Sequence, residues 1–150
     1  LLKASDSENP VHAYLSPDPG LHSGLMIVQY AAAACCNELQ TLCTPASVAN
    51  IPTSAGIEDY NSMGMTAGLQ ALAAVDRCRE VLAMELLEMT EAMRYQRPLR
   101  SGDLVESAVE RVRSQVPELT ADRPPAPDIA AIESMIAAGD FGAWGSGGEE

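Results

Sequence analysis

One uninterrupted helical pattern constrains the fold of this chain more than any other feature. From about Asn61 to Met93, apolar side chains recur at Met65, Leu69, Leu72, Val75, Leu82, Leu86 and Met89, in steps of three, four and seven. That spacing aligns them on one face of an α-helix. At 1.5 Å per residue the helix would be roughly 45 Å long, a rod that a compact domain of 150 residues seldom contains. It is expected to pack against something outside this chain.

The segment from Ser23 to Leu42 reads as a second helix, apolar on nearly every side, with only Gln29, Asn37, Glu38 and Gln40 strongly polar. A helix of that kind belongs in the interior of an assembly. Two shorter helices follow. Asp103 and Glu106 resemble a capping box at the start of one, striped by Val105, Val109, Val112 and Val116 and stopped at Pro117. The Pro-rich run 122–128 reads as a rigid polyproline-like connector to the other, on which Ile129, Ile132 and Ile136 share a face. With one Phe and one Trp in the chain, packing falls to Leu, Ile, Val, Ala and Met, a composition that favours helices over a sandwich or barrel. The expected class is all-α: long central helices of a helical bundle plus short C-terminal helices. An extended arm (1–22), interrupted by Pro10, Pro17, Pro19 and Gly20, leads into a helical domain (23–142) and a flexible Gly/Glu tail (143–150).

The net charge of −12, from 21 acids against 9 Lys and Arg, repels phosphate backbones and anionic lipid heads, so nucleic acid is an unexpected partner. The longest apolar run, Leu25 to Cys36, falls short of the roughly 20 residues of a spanning helix, and no basic n-region with an apolar segment and cleavage site opens the sequence. The expectation is a soluble cytoplasmic protein that does not enter a membrane. Cys35, Cys36, Cys43 and Cys78 form no CxxC pair, and neither His12 nor His22 stands at ligand spacing. They read as buried, reduced thiols without metal.

Between the long helices, residues 44–64 form a Pro/Ser/Thr/Gly-rich connection that carries Glu58 and Asp59. On the residues alone, Glu58 is either a solvated acid near a helix N-terminus, favoured by the helix dipole, or the polar group of a site. Asp59 is expected to act structurally, as a cap for the helix that follows.

Several blocks take the reading further: Gly-Leu-His-Ser-Gly-Leu-Met-Ile-Val-Gln (20–29), Pro-Ala-Ser-Val-Ala-Asn-Ile-Pro-Thr-Ser-Ala (45–55), Glu-Asp-Tyr-Asn-Ser-Met-Gly (58–64) and Val-Leu-Ala-Met-Glu-Leu-Leu (81–87), with Arg-Pro-Leu (97–99) and Asp-Arg-Pro-Pro-Ala-Pro-Asp-Ile (122–129). In order and spacing they resemble the C-terminal helical region of the histidine and aromatic amino acid ammonia-lyases. The resemblance implies non-oxidative elimination of ammonia, or in some members an amino-group shift, by a methylidene-imidazolone (MIO) electrophile cyclised from an internal Ala-Ser-Gly. No Ala-Ser-Gly occurs here, and the family's catalytic tyrosine and substrate-carboxylate-binding arginine precede the matched region. The resemblance therefore implies no catalytic residue in this chain, and an MIO supplied by a larger lyase chain or by a missing N-terminal part, in a tetrameric or higher helical assembly. A cleavage product and a helical scaffold without activity are the other readings.

What the resemblance implies for the site rests on Glu58, which matches the glutamate that faces the substrate imidazole in the histidine-specific branch. A carboxylate can take a charge-assisted hydrogen bond from an imidazole N–H, whereas a phenyl ring offers no donor. Ile57 stands where histidine-specific members have Gln, Tyr60 and Asn61 replace a usual His-Val, and His22 replaces a usual Asn. Ile57 and Tyr14 are expected to line the site. A small amino acid is the implied substrate, with an aminomutase as the alternative activity.

Overall fold

A computed structural model describes residues 11–142; the first ten residues of the arm and the expected flexible tail (143–150) lie outside the described residues. Four helices carry the fold: α1 (Met26–Leu42), α2 (Gly64–Tyr95), α3 (Asp103–Arg113) and α4 (Ala126–Ala138), with short 3-10 turns at Ala13–Leu15, Ala46–Ala49 and Ser54–Gly56 and no strand among the described residues. The all-α expectation and the two long helices hold. At 32 residues, α2 is about 48 Å long. It forms the spine along which α1 and α4 pack, with α3 crossing near its C-terminal end. Among the described residues no helix is long and apolar enough to cross a membrane.

The core gathers where α1, α2 and the C-terminal elements converge. Leu15, Leu25 and Val28 meet Ala83, Met84 and Leu87 of α2, and Val112, Val116, Leu119 and Ile132 close the cluster. Every buried residue of α2 lies at or beyond Ala83. The periodic stripe that marked the helix in the sequence is not this buried face. Met65 is 80% and Leu72 66% exposed, while Leu82, Leu86, Met89 and Met93 line an open apolar groove of about 560 Å³ with Val105 and Val109 of α3 and Ile136 of α4. α1 behaves likewise: Val28 and Cys35 face inward, and Ile27 and Tyr30 are exposed. Periodicity reported helix formation, while the groups that would cover these faces are not among the described residues.

Charged groups lock the C-terminal half. Glu91, only 1% exposed, accepts from Arg94 Nη1 at 2.8 Å, Arg113 Nη2 at 2.6 Å and the Leu119 amide at 3.3 Å. Arg94 also donates to the Leu119 carbonyl and Arg113 to that of Thr90, so one carboxylate ties α2 to α3 and to the loop after it. Glu106 is buried too, gripped by both Arg97 terminal nitrogens at 2.9 and 2.7 Å and by the Ser101 amide at 2.8 Å. Those bonds, with Arg97 first and the Ser101 N–H second, hold its carboxyl at about 2. The capping-box expectation is thereby corrected: Gly102 occupies the N-cap of α3 without a side-chain bond, and Glu106 reaches back past it to Arg97.

The 122–128 connector is not a straight rod. Arg123 folds it by donating to the carbonyls of Pro117 and Glu118 and to Asp128, and α4 begins at Ala126, inside the expected connector. Asp122 bridges to the distant segment just ahead of α1, accepting from the amides of Ser23 and Gly24 at 2.8 and 3.0 Å. These bonds lower its pKa, Ser23 contributing most. They occupy the residues expected to open α1, which starts at Met26. Gly24 has φ +63°, and a Cβ there would stand 2.5 Å from the Tyr14 carbonyl oxygen, so glycine is required.

The arm is less extended than expected, since its described part, from Val11, turns at Ala13–Leu15 and buries Leu15 and Ser16. The Tyr95 hydroxyl donates to the Leu15 carbonyl, and the His12 ring packs 5.1 Å from that of Tyr95. All four thiols are free, but only Cys35 is buried. Burial first, and then its hydrogen bond to Glu80, push that thiol up; Cys36, Cys43 and Cys78 sit on surfaces, contrary to the expected burial.

Candidate functional site

The loop between α1 and α2 is built around a left-handed turn. Ser54, Ala55 and Gly56 have φ of 51°, 54° and 87°. For residues other than glycine that conformation costs roughly 1–2 kcal/mol each, so Ser54 and Ala55 need compensation. It comes from a closed ring of bonds. The Thr53 amide donates to the Glu58 carbonyl at 2.8 Å, the Glu58 amide returns to the Thr53 carbonyl at 3.3 Å, and the Gly56 amide closes the turn on that same carbonyl at 3.0 Å. Inside the ring, the Thr53 and Ser54 hydroxyls both donate to Glu58 Oε2 at 3.0 Å.

A second ring lies outside the first. Asn50 donates to the Asp59 carbonyl at 2.8 Å and accepts from the Asn61 amide at 3.0 Å, while the Asn61 side chain donates to the Ile51 carbonyl at 3.0 Å. These bonds hold residues 59–61 extended, which delays α2 to Gly64 where the pattern predicts a start near Asn61. Asp59 does not cap that helix. The N-cap position belongs to Met63, in the left-handed region with no side-chain cap bond, and Asp59 contributes its backbone carbonyl to the loop instead.

The structure thus places Glu58 and Ile57 together and leaves Tyr14 elsewhere. Glu58 is exposed, and its Oε1 has no partner among the described residues. Ile57 and Tyr60 beside it are 85% and 83% exposed. Tyr14 packs against the core, its carbonyl accepting from the Leu25 amide. Among the described residues no group of three His, Cys, Asp or Glu could hold a metal. Chemically, the loop offers one carboxylate of fixed orientation, able to accept a donor on its free oxygen, beside an apolar side chain with nothing yet packed on it.

The sequence profile of the aromatic amino acid lyases matches residues 1–114. The chain belongs to that family. This lyase-family chain is 46% identical over 123 residues to the histidine ammonia-lyase of Anaeromyxobacter sp. (strain K), a match that covers 82% of the chain and 24% of that protein. Its fold superposes on the crystal structure of histidine ammonia-lyase from Trypanosoma cruzi with a TM-score of 0.83 at 34% identity, covering 87% of this chain and 26% of that one. Tyrosine aminomutase from Streptomyces globisporus gives 0.81 at 31%, covering 87% and 25%. The chain therefore spans about a quarter of the length of these relatives.

Sequence reasoning singled out the acid of the loop and missed the two hydroxyls that hold it. The available signal was Thr53-Ser54 just ahead of Gly56, a glycine able to turn the chain back so that short polar side chains meet the residue beyond it.

Proposed function

We propose that this chain forms the C-terminal helical part of an amino acid ammonia-lyase acting on histidine or a similar amino acid, and that it completes an active site whose reactive group lies on other residues of the assembly. The observation that carries this reading is the 46% identity to a histidine ammonia-lyase across 82% of the chain. The exposed stripe of α2 and the outward face of α1 support it as surfaces for the remaining helices, since apolar faces of this extent mark interfaces.

The MIO group, when present, supplies an electrophile for the amino acid's elimination chemistry. The residues of this chain do not fit the role of forming it, because the Ala-Ser-Gly it requires is absent from the sequence. The chain's own contribution is binding. Glu58 accepts the ring N–H of the substrate through Oε1, and Ile57 presents an apolar wall beside it. The aminomutase alternative keeps support from the 31% identity to tyrosine aminomutase; the same loop would then serve an amino-group shift.

The test is the full chain expressed with a lyase chain or segment that carries Ala-Ser-Gly. The two should co-purify, and the complex should convert histidine to an α,β-unsaturated acid rather than a β-amino acid. Glu58→Gln should reduce that conversion roughly 10- to 150-fold, the range set by losing a charge-assisted bond of about 1.5–3 kcal/mol, and should leave any phenylalanine turnover intact. Unchanged histidine turnover in that variant would remove Glu58 from the site.

A further inference from the structure

We infer that Thr53 and Ser54 are positioning residues for Glu58: their hydroxyls together fix Oε2 so that a single oxygen, Oε1, is presented to one N–H donor of the substrate. This rests on the reading of Glu58 as the substrate-binding acid and assigns the means by which its selectivity is set. A carboxylate offers about four acceptor sites across its two oxygens. Two hydroxyl donors at 3.0 Å occupy Oε2, and Oε1 is left without a partner among the described residues. The acid can then satisfy one N–H well. It is poorly arranged for a planar fork of two donors, which needs both oxygens. A ring with one N–H directed at the acid is the chemistry this geometry selects.

Two further observations fit the assignment. The left-handed backbone at Ser54 and Ala55 is an unfavourable conformation for these residues, and such conformations persist where surrounding structure over-determines them, most often at functional sites. Here the turn brings the Ser54 hydroxyl, four residues away in sequence, onto the same oxygen that Thr53 reaches. Moreover, Glu58 is exposed in this chain. A glutamate in that setting samples several rotamers, and ordering it on binding carries an entropic cost. The hydroxyl pair bears that cost before the substrate arrives.

The assembled lyase containing the full chain provides the assay, with histidine and phenylalanine as paired substrates. Thr53→Val combined with Ser54→Ala should lower kcat/KM for histidine by roughly tenfold, the loss expected for one hydrogen bond's worth of positioning. Phenylalanine, which offers the acid no N–H, should change by less than about twofold. Thr53→Ser in the Ser54→Ala background, which restores one hydroxyl, should recover most of the histidine activity. Circular dichroism and oligomer size of each variant separate positioning from misfolding, because a general loss of structure lowers both substrates together and would overturn the assignment. If Glu58→Gln lowers the histidine-to-phenylalanine ratio while the double variant leaves it at the wild-type value, the clamp is wrong and the Glu58 reading stands. If neither variant moves the ratio, or the assembly turns over phenylalanine alone, both fall.

Discussion

Replacing Glu91 by Gln should destabilise the fold by about 3 kcal/mol, the low end of the range for removing one partner of a buried ion pair. The structure sets that estimate. Glu91 is 1% exposed and serves three donors, and its loss takes the shared carboxylate from two guanidinium groups that are themselves mostly covered, at 29% and 19% side-chain exposure. Each keeps a carbonyl acceptor, Leu119 for Arg94 and Thr90 for Arg113, and Arg94 also keeps the Glu118 carboxylate at 3.2 Å, which argues against the upper end near 5 kcal/mol. A Gln keeps one acceptor oxygen but turns an amide toward a cation. For a chain of this size the loss corresponds to a fall of roughly 6–12 °C in melting temperature, measured by circular dichroism on the assembled protein. A double variant gives a second, sharper test. Glu91→Met with Arg113→Met removes both charges and should lie closer to wild type than Glu91→Met alone, a coupling of about 1–3 kcal/mol. Additive effects, or a Glu91→Gln penalty below about 1 kcal/mol, the range of an exposed pair, would refute the claim that this carboxylate anchors α3 on α2.

Two other outcomes follow from the same structure. The Glu106 carboxyl is held at about 2, below its ordinary 4.5, by Arg97 and the Ser101 amide, so its stabilising effect is complete above pH ~4.5 and is lost as pH falls toward 2; in acid titrations followed by circular dichroism, Glu106→Gln should be weaker than wild type above that window and converge with it at the bottom. Asp59→Asn should leave thermal stability within about 0.5 kcal/mol of wild type, because the backbone carbonyl does the work in the loop; a drop on the scale of a lost helix cap, about 1 kcal/mol, would restore the capping role.

What was legible in the sequence was periodicity, and periodicity is local. Met65, Leu69 and Leu72 announced α2 because a helix aligns them whatever lies opposite, yet the same residues gave no sign that nothing in the described chain covers them. The elements that set the architecture were hidden for the converse reason. Glu91 and Arg113 stand 22 residues apart and Asp122 and Ser23 stand 99 apart, separations at which no spacing rule operates. Around the candidate site the acid was visible and its geometry was not. Asp59 met every compositional criterion for a cap, but the Asn50 and Asn61 bonds keep the chain extended past it and move the helix start to Gly64. The hydroxyl clamp depends on two residues other than glycine adopting left-handed backbone, which their side chains disfavour.

The uneven burial of α2 has a mechanical meaning. The helix is rooted where Ala83 to Ala92 are buried and is only partly covered from Gly64 to Leu82, where Arg77 reaches Glu38 and Glu80 meets Cys35 of α1, with the Glu58 loop mounted at its far end. That partly covered stretch of 19 residues is about 28 Å long at 1.5 Å per residue. Angular play of only ~2° at the root sweeps the tip through ~1 Å, enough of a misplacement to cost on the order of 100-fold in a reaction that demands aligned groups. Helices laid along its open flank would add to the support that α1 gives it, so under the proposed role of Glu58 the aim of its carboxylate becomes a property of the assembly's stiffness.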